Sequence, residues 1–366
     1  MKFSDYYKNY YETIFDRIYI SEDAVNLAPA VRASERLELP LYVVPSEKEM
    51  SPDHLNSRTL YITKRKGQTV GKCPGTRGHI CCNYVTIDLY NGCTLGCSYC
   101  IMKSYLNFAP VTVYADTEPA VEELKKIARL NRDRIVRAGT GETGDSLQFD
   151  PLFEMTEDFI RGLSGIDNIY FEAKTKTSFV DHLLDIENKG NAVISFSLNP
   201  ESVVEAEETE AFSLDERLDA AAKAVSAGYN LAFHFDPVIC TEGWEDEYLQ
   251  TADKLSQFPK GKIKWISIGT FRYPPALKDK IGQRPYLFDE YVPCRDGKYR
   301  YVQKRRKEVY RLLYDKLTRV SGGASVYMCM ESSTVWKHAA GGVPGELENV
   351  KWLFKKIKGV SGRFSV

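Results

Sequence analysis

Between residues 83 and 270, short runs rich in β-branched and aromatic residues alternate with amphipathic stretches of helical period. The runs 83–90 (NYVTIDLY), 134–138 (RIVRA), 168–174 (NIYFEAK), 191–198 (NAVISFSL), 230–236 (NLAFHFD) and 262–269 (KIKWISIG) carry strand character. Between them, TEPAVEELKKIARLN at 117–131 opens on Thr117 as an N-cap with acidic residues in its first turn. SLDERLDAAAKAVSAG at 213–228 closes on Gly228 as a C-cap. Unbroken strand–helix alternation predicts an α/β fold with a parallel sheet and right-handed crossovers. Six such units predict an open, partial (β/α)6 barrel rather than a closed eight-stranded one. The expected organisation is an N-terminal region at 1–82 packed on the barrel, the barrel at 83–272, and a C-terminal region at 273–366. The acidic run Glu205–Glu210 reads as a solvated loop or helix face with no function of its own.

Composition narrows the class. With 366 residues, 43% hydrophobic and 12% aromatic, the chain can bury a large core. No apolar run approaches a membrane span, and the start MKFSDYYKNYYETIF lacks a signal-peptide core, so a cytoplasmic protein without membrane contact is expected. Nine cysteines, an odd number, suit reduced thiols better than a disulfide framework. A net charge of −1 means that a polyanionic partner must be met by a local patch.

The loop after the first strand carries Cys93-Thr-Leu-Gly-Cys97-Ser-Tyr-Cys100. Three thiolates spaced CxxxCxxC hold three corners of a 4Fe–4S cluster and leave the fourth iron open, whereas clusters that only carry electrons are closed by four cysteines. A structural zinc site wants four ligands, and no CxxC or HxxxH pair lies downstream to complete one. The position after a strand is also where α/β barrels keep their chemistry.

The triplet resembles the signature of the radical S-adenosylmethionine (SAM) superfamily. A series of further segments runs in order along the chain: CPGTRGHICCNY at 73–84, CTLGCSYCIMKSYLN from Cys93, GTGETGDSL at 139–147, KTKTSFVDHLL at 174–184, SFSLNPESVV at 195–204, GYNLAFHFDPV at 228–238, ISIGTFRYPPALK at 266–278, DGKYRY at 296–301 and YMCMES at 327–332. Together they resemble the spore photoproduct lyase family. That resemblance implies a radical-SAM partial barrel with an N-terminal extension and a C-terminal basic hairpin plus helices. It implies a 4Fe–4S cluster on Cys93, Cys97 and Cys100, SAM as cofactor, UV-damaged DNA as partner, and a reducing protein of flavodoxin or ferredoxin type as electron source. A monomer is expected. The implied reaction reverses a UV-induced thymine lesion, beginning when a 5′-deoxyadenosyl radical abstracts a hydrogen atom.

The resemblance also assigns roles. Gly139, Thr140, Gly141 and Glu142, after the second strand, would meet the SAM ammonium; Lys176 and Ser197, at the ends of the third and fourth, its carboxylate and ribose; Tyr99 would lie near the adenine. Taken alone, these read equally as a turn that needs glycine, a solvated lysine, a capping serine and a tyrosine filling the loop core. His234 and Asp236 end the fifth strand and face the mouth if alternation is in phase, as site residues or as a hydrogen-bonded structural pair.

Arg295–Arg311 holds eight Lys/Arg against two Asp/Glu, interleaved with Tyr299, Tyr301 and Tyr310. Asp296-Gly297 is a type I′ hairpin signal. A basic aromatic hairpin suits phosphate neutralisation with a ring to wedge between bases, although Lys304–Arg311 alone would read as a solvated helix face. With the likeness of DGKYRY to the family's DNA-inserting hairpin, Arg295, Lys298, Tyr299, Arg300, Tyr301, Lys304, Arg305 and Arg306 are the expected DNA contacts.

The chain departs from the family pattern at two places. The cysteine that returns a hydrogen atom to the product falls at Gly139, and the tyrosine that follows the third cluster cysteine falls at Ile101. Cys81, Cys82, Cys240, Cys294 and Cys329 remain as other thiols, with Cys81 and Cys82 the expected catalytic donors by their place before the first strand; inert buried cysteines are the ordinary alternative. Three readings compete: a lyase acting on the spore-type thymine dimer or a related lesion; a radical SAM enzyme of this fold acting on another photolesion, such as Dewar or 6–4, or on a non-DNA substrate; and a DNA-binding protein with a structural or redox-sensing cluster.

Overall fold

The computed structural model describes residues 3–76 and 78–361; Met1, Lys2, Arg77 of the 73–84 run, and residues 362–366 lie outside it. Seven parallel strands form one curled sheet, a half-barrel, in the order Val85–Ile87, Val136–Gly139, Ile169–Thr175, Ala192–Ser197, Asn230–Val238, Ile263–Thr270 and Ser325–Met328. Val70–Lys72 adds an antiparallel edge beside Val85–Ile87. Neighbours in space follow chain order, but the expected unbroken strand–helix alternation fails once: only the short 3-10 turn Asp181–Leu183 joins Ile169–Thr175 to Ala192–Ser197.

The five central strands fall where their β-branched runs place them, and the differences lie at the ends. The run 83–90 is not one strand. Val85–Ile87 joins the half-barrel, while Tyr90–Asn91 turns away to pair antiparallel with Val111–Tyr114 in a second sheet, in register Tyr90↔Val113 and Asn91↔Thr112. The break falls at Asp88, whose buried carboxylate lies 3.4 Å from Arg65. A seventh parallel strand, Ser325–Met328, comes from the region expected outside the barrel. Four residues are too few to show a period, and it is recognised only through its pairing with Ile263–Thr270.

The N-terminal region supplies three of the five strands of the second sheet: Leu41–Val44, Arg17–Ser21, Thr59–Thr63 and, from beyond that region, Val111–Tyr114 lie parallel in that order, with Tyr90–Asn91 at the edge. Helices pack on the half-barrel through apolar stripes. Glu118–Leu130 buries Ala120, Val121, Leu124, Ile127 and Ala128, the i, i+3, i+4 pattern of one face; fully burying a side chain such as Leu124 contributes roughly 1.5–3 kcal/mol. Thr117 does not cap this helix: its hydroxyl donates to Asp158 at 2.8 Å. Leu214–Ser226 begins in a capping box between Ser213 and Glu216, and the left-handed Gly228 (φ +102°) follows its end.

Candidate active site

The parallel strands bring their C-terminal ends to one rim, where a cavity of roughly 350 Å³ opens. Cys93, Cys97, Cys100 and Tyr99 line it from the loop after Asn91. Gly141 and Glu142 line it from the turn after the second strand, and Lys174, Lys176, Ser197, Asp236 and Arg272 from later strand ends. Burial pushes the Cys93 thiol up to about 12, with Cys100 adding to the shift. Cys97 is raised by burial too, partly offset by Lys176. Buried thiols this reluctant to ionise become thiolates when a metal centre displaces their protons.

Glu205 and Glu210 of the acidic run are exposed as expected, but Glu207 and Glu208 are buried and clamp this loop. Glu207 accepts hydrogen bonds from the Ser98 hydroxyl, from Tyr286 at 3.2 Å and from Arg284 at 3.2 Å, and its carbonyl accepts from Ser98 N at 2.8 Å. Glu208 accepts from the Tyr99 hydroxyl, from Asn199 Nδ2 at 2.8 Å and from Arg217 at 2.5 Å. Burial would push Glu208 up, but Lys176 and Arg217 hold it below the usual carboxylate range. Gly96 (φ +70°) passes so close that an added Cβ would lie 2.8 Å from Thr209 Oγ1. A sheltered carboxylate needs a cation, and Arg217, nine residues on, supplies it while also donating to the Ser197 carbonyl at 2.8 Å. Tyr99 therefore presents only its ring to the cavity, with Lys176 Nζ 5.8 Å from the ring centre.

On the other side the turn 139–147 is organised by Asp145, which sequence reasoning passed over. Its carboxylate accepts from Leu147 N at 3.0 Å, Gln148 N at 2.9 Å, Thr175 Oγ1 at 2.7 Å and Lys176 N at 2.7 Å, tying the turn to the end of the third strand. Thr140 is buried and its hydroxyl bonds to Ser146 at 2.7 Å, so it shapes the turn rather than facing the cavity. His234 and Asp236 are not a pair. Asp236 meets Arg272 at 3.2 Å on the cavity wall, and His234 lies beneath, with Nε2 2.7 Å from Glu172 and Nδ1 2.6 Å from Ser267. Lys174 and Arg272, lining residues missed in the sequence, stand at strand ends two residues from Lys176 and Thr270.

The donor set fits an open 4Fe–4S cube. Three cysteines line the cavity with no fourth cysteine or histidine among its described lining residues. No three His, Cys, Asp or Glu side chains among the described residues converge as a single metal ion demands, whereas a cube takes its thiolates at separate corners. The spore photoproduct lyase family model matches residues 41–284. The chain belongs to the spore photoproduct lyase family. It is 28% identical over 259 residues to the spore photoproduct lyase of Geobacillus sp. (strain Y412MC61), covering 66% of this chain and 74% of that one. Against the Bacillus subtilis (strain 168) enzyme it is 29% identical over 170 residues, 46% and 50% of the two chains. A solved spore photoproduct lyase variant superposes with a TM-score of 0.74 at 22% identity, over 86% of this chain and 98% of that one. Another solved variant of TM-score 0.73, 21% identical over the same shares, carries bound AdoMet and dinucleoside spore photoproduct.

The hairpin of this family member differs from its expected form. Tyr291–Pro293 and Tyr299–Tyr301 pair antiparallel, with Arg272–Tyr273 as a third strand. The connection is not a two-residue type I′ turn, which needs two left-handed residues. Only Gly297 (φ +76°) has positive φ there, and Cys294 N donates to the Lys298 carbonyl at 2.9 Å across a longer loop. Three expected DNA contacts are internal. Arg300 is 1% exposed and donates to both Asp296 oxygens at 2.7 and 2.9 Å. Tyr301 is fully buried and stacked on Tyr291. Arg306 is buried and donates to Glu331 at 2.8 Å. Tyr299 is half-buried against Tyr273, and Lys298 is 3.3 Å from Asp296. Arg295 and Lys304 are exposed, and Arg305 is half-buried 3.8 Å from Asp289.

Cys81 and Cys82 do not line the cavity. The neighbouring Cys82 thiol and burial raise Cys81, whereas Cys81 lowers Cys82, with the Arg137 guanidinium adding to the pull on Cys82. Arg137 also donates to the Cys82 carbonyl at 3.4 Å.

Proposed function

We propose that this chain is a radical SAM lyase that reopens a spore-type thymine lesion in DNA. The observation that carries the reading is the convergence of Cys93, Cys97 and Cys100 with Glu142, Lys176, Ser197 and the Asp236–Arg272 pair on one cavity at the C-terminal rim, in a chain of this family. When bound, the cluster and SAM supply the electron and the hydrogen-abstracting carbon radical. The chain's own residues bind and orient. Lys176 suits a carboxylate, Glu142 an ammonium and Ser197 a ribose hydroxyl, so the opposite charges of an amino acid group find opposite partners across the cavity. Glu207 and Glu208 fix the cysteine loop from behind. The exposed Arg295 and Lys304 with the partly exposed Arg305 offer phosphate contacts for UV-damaged DNA. The reductant in this reading is a flavodoxin or ferredoxin, and the enzyme acts as a cytoplasmic monomer; no helix among the described residues is long and apolar enough to cross a membrane.

The test is anaerobic incubation of reconstituted, reduced protein with SAM and dinucleoside spore photoproduct. Release of the repaired dinucleoside is expected. SAM cleavage without repair would redirect the reading to a Dewar or 6–4 lesion or a non-DNA substrate, and absence of SAM cleavage would overturn it.

A further inference from the structure

A side chain on residue 139 has no room in this barrel. A Cβ built on Gly139 would stand 2.1 Å from Tyr84 Oη, 2.4 Å from the Glu172 carbonyl oxygen and 2.9 Å from Glu172 Cβ, all inside van der Waals contact. The space is taken by a phenol. Tyr84 precedes the first strand, and its half-buried ring reaches past Gly139 to donate to Glu172 Oε2 at 2.5 Å.

Strand alternation fixes the depth of this hydroxyl. Glu172 and His234 each stand two residues before Lys174 and Asp236, which line the cavity. Residues two apart on a strand share a face. Tyr84 Oη therefore lies in the layer of side chains directly beneath the cavity lining. Glu172 has other partners besides it: the second carboxylate oxygen, Oε1, meets His234 Nε2 at 2.7 Å and Trp265 Nε1 at 3.2 Å, so the carboxylate stays paired if the phenol turns away.

We propose that Tyr84 is the hydrogen-atom donor that closes the reaction in this enzyme, an inference that rests on the lyase reading of the cavity above it. Opening the crosslink between two bases leaves a carbon-centred radical on one of them. Transfer from Tyr84 forms a C–H bond on that base and breaks the phenol O–H bond, leaving an oxygen radical delocalised over the ring. That phenoxyl regains a hydrogen atom from the C–H bond made on the deoxyadenosyl carbon during the initial abstraction; the carbon radical so re-formed would rejoin the methionine sulfur, remaking SAM and giving back the electron that had cleaved it. The hydrogen count of the protein closes in each turnover, and no outside oxidant or reductant enters this step.

A phenol proton exchanges with water, whereas a carbon-bound hydrogen does not, so the test is repair of dinucleoside spore photoproduct in D2O. Mass spectrometry of the wild-type product is expected to show one solvent deuterium on the repaired base, and Tyr84→Phe to lose it. In freeze-quenched wild type grown on ring-deuterated tyrosine, a narrowed phenoxyl signal is expected. An unlabelled wild-type product, or solvent deuterium at the wild-type level in Tyr84→Phe, would overturn the proposal alone. Loss of the label in Cys81→Ala or Cys82→Ala with its retention in Tyr84→Phe would move the role to that thiol. Wild-type enzyme that cleaves SAM but does not open dinucleoside spore photoproduct would redirect the lyase reading to another substrate and overturn this proposal with it.

Discussion

Glu208 and Arg217 form an ion pair at 2.5 Å with neither side chain exposed to solvent, and the same carboxylate receives the Tyr99 hydroxyl from the cysteine loop. Removing one member strands the other in a medium that solvates charge poorly. Arg217→Ala is expected to cost roughly 3–5 kcal/mol, read from the urea midpoint. Glu208→Gln, which keeps an acceptor, should cost less but lower the iron retained after anaerobic reconstitution. A midpoint unmoved in Arg217→Ala would contradict the clamp.

Two neighbouring arginines should behave oppositely. Lys304→Ala with Arg305→Ala is expected to flatten the log affinity against log salt slope for duplex DNA by roughly 1.8, about 0.9 per phosphate. Arg306→Ala should leave that slope alone and cost roughly 3–5 kcal/mol of stability, because it uncovers buried Glu331. A slope change in Arg306→Ala would show that the arginine leaves Glu331 to meet DNA.

Acid should expose the charge beneath the cavity. Burial would push Glu172 up, yet His234 and the hydrogen bonds it receives bring it down to about 2. A carboxylate with a lowered folded pKa adds stability that is complete above its unfolded value, about 4.3, and vanishes as pH falls through the folded one. That contribution is of order 3 kcal/mol. The stability gap between wild type and Glu172→Gln should therefore close between pH 4.3 and 2, measured by denaturant titration. A gap independent of pH across that window would mean the carboxyl is protonated in the folded state.

Gly139→Ala forces a methyl group against Tyr84 and the Glu172 backbone. Overpacking of this kind costs about 1–3 kcal/mol, and a thermal midpoint at the wild-type value would show that the layer relaxes freely.

Cys97→Ala should lower the cluster content of reconstituted protein from about four irons per chain towards none, and abolish SAM cleavage. Full iron content in this variant would assign the cluster to other residues.

Central strands and helices were legible because each carries its own period: Ile169–Thr175 and Ile263–Thr270 could be placed from their runs alone. What stayed hidden depends on partners distant in sequence. Ser325–Met328 is a strand because Ile263–Thr270 lies beside it. Glu207 and Glu208 looked solvated because a charge run shows nothing of the arginine or the serine that will face it. Arg306 did leave a trace. It stands at the helical spacing of Tyr310, Leu313 and Leu317, all buried on one face of Gln303–Val320, so the stripe included it. Counting charges along the segment obscured that. The cavity was readable in its cysteines and glycines, whereas Asp145, Lys174 and Arg272 are common residue types whose importance comes only from where the strands end.

The pairing of Tyr90–Asn91 with Val111–Tyr114 makes the cysteine-bearing stretch a long excursion whose two feet stand on the second sheet, not on the half-barrel. The sheet that holds those feet is built mostly from the first 63 residues. Untying such a loop releases the whole segment at once, since closing it is an entropic cost met at its base. The N-terminal region thus works as the mooring of the cysteine loop. Damage to it should be felt as lost iron before it is felt as lost fold.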